Sequence, residues 1–304
     1  MNSITKNIIL TRPNCDGICA AAICMAAIAD RGPNYPYIHF VQPYTLNDIL
    51  SNVTWDKSTT HLHIFDIGLN DAVIPLLDGY KEITYIDHHR GSEKYSTMFN
   101  GLHSTYISSS MLAAQWFNYE GILGPLGSVC DKMNYLQKED PLLEEANLLR
   151  AALHTIPDID FWTKTVHHLS HGCMPSKIPA VVAKGNIAYA SRERYLNIGR
   201  DNIQYNKEII VTDLGHNAGG YGGLVATRLS IEFNKPAFAV YSEDDSDKYI
   251  IVARAPNNHP VDLSVIMSRF GGGGHSHAAA GSFFNPEHNF NNVLAAILKI
   301  NRCN

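Results

Sequence analysis

Residues 83–89 read Ile-Thr-Tyr-Ile-Asp-His-His. A short β-branched and aromatic run, the composition of a strand, passes straight into a carboxylate and two imidazoles. Two adjacent histidines behind a carboxylate are rare as surface filler. Working outward, the pattern repeats. Residues 61–65 alternate and enter Asp66, and residues 7–10 form an apolar run that ends at Thr11, shortly before Asp16. Residues 37–42 read as a further strand. Helical stretches lie between these runs. From Gly17 the chain reads GICAAAICMAAIADRG, alanine-rich and apolar, and closes on Gly32-Pro33, a stop signal. Residues 108–121 open on serines suited to capping, and residues 140–155 form another helix candidate. Strands separated by helices predict a parallel sheet with helices on its faces.

The second half restarts the alternation. Residues 182–206 are polar and mixed, with Arg192, Arg194 and Arg200, and read as a linking helix. Strands are expected at 208–212, 237–241, 249–253 and 280–284, and helices at 222–233, 261–270 and 287–300. A run of four glycines, 271–274, stands between the helix at 261–270 and the last strand. The expected fold class is α/β: a parallel-sheet domain over 1–181, the linking helix over 182–206, and a smaller α/β domain over 207–304.

Composition bounds the function. The 304 residues suggest two domains, at ~150 residues each. An apolar content of 45% with 17% charged residues excludes a disordered chain. With 24 basic and 29 acidic residues the formal charge is -5, which disfavours a basic surface for coating duplex DNA but allows a local anion site. No apolar run approaches the ~18 residues of a membrane span, and MNSITKNIIL has no signal-peptide pattern. The six cysteines form no CxxC pair, which predicts a cytoplasmic home and no four-cysteine zinc site.

The chemistry gathers where the first-half strands end. Asp16, Asp66 and Asp87-His88-His89 each follow a strand, and Asp158 and Asp160 follow a later helix. Carboxylates gathered at one sheet edge repel one another unless a cation neutralises them. Carboxylates with imidazoles suit Mn²⁺, Mg²⁺, Fe or Zn²⁺, and two ions sharing a carboxylate can clamp the attacking and leaving oxygens of a phosphoryl ester. The glycine run lets backbone N–H groups approach an anion closely. A second glycine-rich segment, 213–223, stands before a helix start; anion binding and simple turn formation both remain open for it.

These segments resemble a known family. TRPNCDGICAAAI, IFDIG, YIDHHRG and PDIDFW stand in the order and approximate spacing of the DHH phosphoesterases, and RFGGGGHSHAAAGSF is similar to the signature of the DHH-associated C-terminal domain. The resemblance covers residues 7–285, with GGGGH about 180 residues beyond YIDHH. It implies an active site between the two domains and two metals, often Mn²⁺, with Mg²⁺ as the substitute. It gives Asp66 the bridging position and His88 a metal-ligand position. Asp158 would complete the same metal, with Asp160 as the alternative, and Asp16 would serve the other. His89 would face the scissile phosphate, while Asp87 orients its neighbours. Arg254, Gly272, Gly273, Gly274 and His275 would hold the far end of the substrate. His277 is expected to be structural.

The first motif departs from the family. Where members carry His-x-Asp/Asn-x-Asp-Gly, this chain has Arg12, Asn14, Asp16 and Gly17. Arginine keeps its proton and cannot ligate a metal. The departure predicts one tight and one weak metal site, with Arg12 as a fixed cation that pairs with Asp16, reaches a substrate phosphate or turns to solvent. The resulting expectation is a Mn²⁺-dependent phosphohydrolase. Its substrate would be a short oligonucleotide, a small phosphorylated nucleotide or a short polyphosphate, because the chain leaves no room for the extra domains that hold a long strand. The degenerate motif supports an alternative, a non-catalytic nucleotide or nucleic-acid binder on the same scaffold. A homodimer is compatible with either reading, and no membrane partner is expected.

Overall fold

The computed structural model describes residues 5–29, 36–131, 141–154, 158–242, 247–287 and 289–301. The chain divides into two units, Met1–Ala188 and Tyr189–Asn304.

The first unit contains β1 (Lys6–Thr11), α1 (Cys15–Ala29), β2 (Tyr37–Phe40), α2 (Leu46–Asn52), β3 (Thr60–Phe65), β4 (Glu82–Asp87), α3 (Glu93–Ser96) and β5 (Asn100–His103). Helices α4 (Ser109–Phe117), α5 (Leu123–Cys130), α6 (Pro141–Leu153), α7 (Ile159–Ser170) and α8 (Pro179–Asp201) follow. Its five strands are all parallel, in the order β2-β1-β3-β4-β5. The side-chain period of two sends Ile8, Leu10, Leu62, Ile64, Ile83 and Tyr85 into one core and Ile9, Phe65 and Ile86 into the other. Helix α1 is buried on every side from Cys15 to Met25, as its alanine-rich sequence requires. It packs against α4, α5 and α7.

Helix α5 has no counterpart in the sequence reading, because Gly124, Pro125 and Gly127 look like breakers. Packing overrides that signal. Pro125 lies in the first turn, where it is tolerated. A Cβ on Gly127 would come 2.3 Å from Ser110 Oγ and 3.0 Å from Asp16 Oδ1. The glycines therefore serve the close approach of α5 to α4 and α1.

The stretch read as a linking helix over 182–206 is helical only as far as Asp201, within α8, and then enters a strand. The break between units falls inside α8. The second unit then holds β6 (Ile203–Asn206), β7 (Ile210–His216), α9 (Gly222–Phe233), β8 (Ala237–Ser242), β9 (Lys248–Arg254), α10 (Leu263–Ser268), β10 (Gly273–His275), β11 (Ala278–Phe284) and α11 (Phe290–Asn301). Its sheet runs β10-β11-β9-β8-β7-β6, with β7 and β8 parallel and the other pairs antiparallel. One face packs Phe238, Val240 and Ile251 with residues of α10 and α11, and the other packs Ala237 and Ala239 with α9 and Leu196 of α8. Part of the expected glycine loop is itself the edge strand β10.

Candidate metal and phosphate site

In open parallel sheets, ligands bind beyond the carboxyl ends of the strands, where the strand order reverses. In this sheet the reversal lies between β1 and β3. Asp16 follows β1 in the first turn of α1, and Asp66 follows β3. The Asn14 side chain accepts from the Gly17 N–H at 2.9 Å and so caps α1, which holds Asp16 at the sheet edge. Asp66 leaves β3 in the left-handed region, with φ +57. Asp87 is the last residue of the next strand, so His88 and His89 begin the loop beside Asp66.

Four side chains converge. His88 Nε2 lies 3.1 Å from Asp66 Oδ1, 3.6 Å from Asp131 Oδ2 and 3.9 Å from Asp16 Oδ2. The ligand atoms of Asp16, His88 and Asp131 all lie within 4.8 Å of one another, as do those of Asp66, His88 and His89. Both Asp16 and Asp66 are buried. The Asp16 carboxylate accepts the backbone N–H groups of Ser109 at 2.7 Å and Ser110 at 2.9 Å, at the start of α4, where the helix dipole favours an anion. Burial and the neighbouring Asp66 charge nonetheless push its pKa up to about 7. Burial opposes charge on His88, but the Asp66 hydrogen bond and the charges of Asp66, Asp16 and Asp131 override it and raise its pKa to about 9. Asp131 is also raised, first by burial.

This donor set fits a divalent cation. Three carboxylates and an imidazole are ligands suited to Mn²⁺ or Mg²⁺. Asp66 Oδ2 is buried and has no hydrogen-bond partner, although its other oxygen accepts from Ser109 Oγ at 3.2 Å. A fully buried carboxylate oxygen with no partner is costly, and a cation would satisfy it.

Asp87 has the opposite surroundings. Its oxygens accept from Ser92 Oγ at 2.6 Å, His89 Nδ1 at 2.7 Å and Tyr85 Oη at 2.9 Å. Burial works against its charge, yet these donors and the His89 charge hold its pKa at about 2. Asp87 orients His89 through Nδ1. Arg12 Nη1 then donates to His89 Nε2 at 3.4 Å. A guanidinium nitrogen can only donate, so the contact is a hydrogen bond only in the His89 tautomer with its proton on Nδ1, whereas the Asp87 hydrogen bond raises the His89 pKa and favours the charged ring. Arg12 turns to His89 rather than pairing with Asp16.

Asp158 does not join the converging group. Its Oδ1 caps α7 by accepting from Phe161 N at 2.9 Å, and its Oδ2 lies 3.2 Å from Lys184 Nζ. Asp160 is exposed and pairs with Lys164 at 2.6 Å. The carboxylate beside His88 is instead Asp131, the residue after α5. It went unnoticed because α5 itself did; the available signal was an apolar segment ending in an aspartate, as at Asp66 and Asp87. A cavity of about 160 Å³ opens beside Asp16 and Asp131, with Arg150 and His154 of the α6 segment also on its wall.

In the second unit, Arg254 ends β9, is half-buried, and donates to the Ala253 carbonyl at 2.8 Å. A Cβ on Gly223, at the start of α9, would lie 3.0 Å from Arg254 Nη2, so this glycine makes room for the guanidinium. The glycine run divides by function. Gly271 and Gly274 have φ +64 and +140, conformations that favour glycine. A Cβ on Gly272 would strike the Ala280 carbonyl at 2.0 Å, whereas one on Gly273 meets nothing within 4 Å. Gly273 and His275 both lie exposed on β10.

Comparison with known proteins agrees with this architecture. Residues 206–302 match the DHHA1 domain. No curated protein sequence is significantly similar to the chain. Among solved structures, the chain resembles the pGpG-specific phosphodiesterase PggH of Vibrio cholerae at 14% identity and TM-score 0.66, covering 98% of this chain and 99% of that one. It resembles a manganese-bound exonuclease RecJ at 16% identity and TM-score 0.65, covering 97% and 90%. An exopolyphosphatase-related protein of Bacteroides fragilis matches at 14% identity and TM-score 0.53, covering 98% and 93%. Residues 206–302 thus match a DHHA1 domain, and over nearly its whole length the chain shares the α/β fold of these structures.

Proposed function

We propose that the protein is a metal-dependent phosphohydrolase acting on short oligonucleotides, small phosphorylated nucleotides or short polyphosphate. One observation carries the reading: three carboxylates lie within 3.9 Å of the His88 Nε2 at the sheet edge, and one of them, Asp66, has a second, buried oxygen with no partner. Asp16, Asp66, His88 and Asp131 are assigned as the ligands of one tight ion, with Asp131 replacing Asp158 in that role. Mn²⁺ is the favoured ion, since the RecJ of similar fold is manganese-bound. When bound, such an ion supplies Lewis-acid polarisation of a phosphoryl oxygen and lowers the pKa of water. A second position gains no ligand from the first motif beyond Asp16, because Arg12 cannot ligate and the Asn14 oxygen already accepts from Gly17.

The chain's own residues complete the site. Asp87 fixes the ring and tautomer of His89, as carboxylates behind imidazoles commonly do. Arg12 offers a planar fork of donors to the phosphoryl oxygens. The second unit is assigned the distal phosphate or nucleoside, through Arg254, the open space at Gly273, and His275.

The test is release of phosphate or mononucleotide from a mixed panel of dinucleotides, bisphosphorylated nucleosides and short polyphosphates with Mn²⁺. Turnover of at least one class that is lost in EDTA is expected. No turnover on any class, together with micromolar binding, would favour the non-catalytic binder, the reading that the Arg12 and Asn14 departures support.

A further inference from the structure

The face of the first sheet that carries the metal group has a second end. Register places Asn7, His61 and Glu82 side by side across β1, β3 and β4, and Ile9, His63 and Thr84 in the next row. These residues share the face of Phe65 and Ile86 but lie at the amino ends of the strands, away from Asp66 and Asp87. On the opposite face the same strands place Ile8, Leu62 and Ile83 in an apolar core. Apolar side chains would fill this end at least as well, since buried polar groups need partners to offset lost hydration. The sequence nevertheless keeps four hydrogen-bonding side chains and a carboxylate there.

They line a cavity of about 370 Å³, within the range of small-molecule sites. Ala27 and Ile28 at the end of α1 form one wall, and Trp116 and Phe117 at the end of α4 form another. Aromatic rings run in a column along β3, with His61 and His63 centroids 3.9 Å apart and His63 and Phe65 centroids 6.2 Å apart. Trp116 is 40% exposed. The polar groups are ordered: His61 lies 2.9 Å from Thr84 Oγ1 and 3.4 Å from Glu82 Oε2, and His63 lies 3.2 Å from Asn7 Oδ1. Glu82 Oε1 accepts from Asn100 only at 3.4 Å. The Glu82 side chain is half-exposed, and each of its oxygens can accept a further hydrogen bond.

From this arrangement we infer that the cavity is a second binding site, separate from the metal group, for a planar heteroaromatic ligand with adjacent N–H donors, a guanine base or nucleoside. The aromatic walls suit a flat ring, since every base offers a π face. The carboxylate suits an edge with two parallel donors, which guanine has and adenine lacks. The lining has one acidic side chain and no lysine or arginine, so the site favours the nucleoside over its phosphates. This inference does not depend on the phosphohydrolase reading.

The test uses the full-length protein in EDTA, with binding followed by calorimetry. Guanosine should bind at one site, with adenosine and guanosine 5′-monophosphate at least tenfold weaker. Glu82→Gln and Trp116→Ala, both at accessible positions, should each weaken guanosine tenfold or more while leaving Mn²⁺-dependent hydrolysis unchanged. The inference fails if guanosine does not bind up to its solubility limit, if adenosine binds equally well, or if both variants bind guanosine like the wild type. Loss of guanosine binding in Asp66→Asn, with Glu82→Gln unaffected, would place the nucleoside in the metal site and overturn it as well.

Discussion

Asp66 and Asp87 stand at the ends of neighbouring parallel strands, both fully buried, and their surroundings differ in one respect. Asp87 accepts from Tyr85, Ser92 and His89. Asp66 accepts from Ser109 and His88 on one oxygen and from nothing on the other. A satisfied buried carboxylate contributes to the fold. One with an unmet oxygen, in a cluster with Asp16 and Asp131, costs stability that a bound cation would offset. The two positions should therefore respond to the same isosteric change with opposite signs in stability.

The largest effect is expected at the unmet carboxylate. Asp66→Asn should lower Mn²⁺-dependent turnover by about 10³-fold or more, since it removes the charge shared by all the ligand contacts. Thermal unfolding in EDTA should show the variant at least as stable as the wild type, because like-charge repulsion with Asp16 is relieved. A marked drop in apo stability would contradict the contrast. Asp87→Asn comes next. It should cost about 2–3 kcal/mol in urea unfolding, through lost hydrogen bonds to a buried charged group. Activity should also fall by roughly 10–100-fold through a misoriented His89. An Asp87 variant of unchanged stability but fully lost metal binding would make Asp87 a ligand.

Arg12 decides whether the unmet oxygen serves one ion or two. Calorimetric Mn²⁺ titration should show one tight site in the wild type, and Arg12→His should tighten a second by about tenfold, as an added imidazole ligand allows. Two comparably tight sites in the wild type would refute the assignment. The smallest effect is expected in the second unit, where the same distinction applies between groups the fold has used and groups it has left open. Gly273→Ala should change stability by no more than about 0.5 kcal/mol, because its Cβ meets nothing. It should still raise KM several-fold by filling that open space, with kcat little changed. An unaltered KM would remove the loop from the substrate site.

What the sequence disclosed followed from period and punctuation. The strands ending in Asp66 and Asp87 were legible because apolar runs broke at charged residues, and the parallel sheet followed from the helices between them. Helix α5 was hidden because Gly124, Pro125 and Gly127 serve packing against α4 rather than turns, and Asp131 was hidden with it. Asp158 attracted the ligand role through its motif, yet a local N–H and Lys184 already engage its oxygens. The contact of Arg12 with His89 joins residues 77 positions apart, which neither periodicity nor local spacing encodes.

The backbone of Asp66 adds a restriction of its own. At φ +57 a side chain bearing a Cβ is strained, and glycine, asparagine and aspartate tolerate the region best. Of these, aspartate alone carries a charge. Glutamate, the usual conservative exchange, would add a backbone cost of up to about 1–2 kcal/mol to the displacement of its carboxylate. Asparagine would keep that backbone at little cost and lose the charge, so the fold and the proposed cation site place separable demands on residue 66.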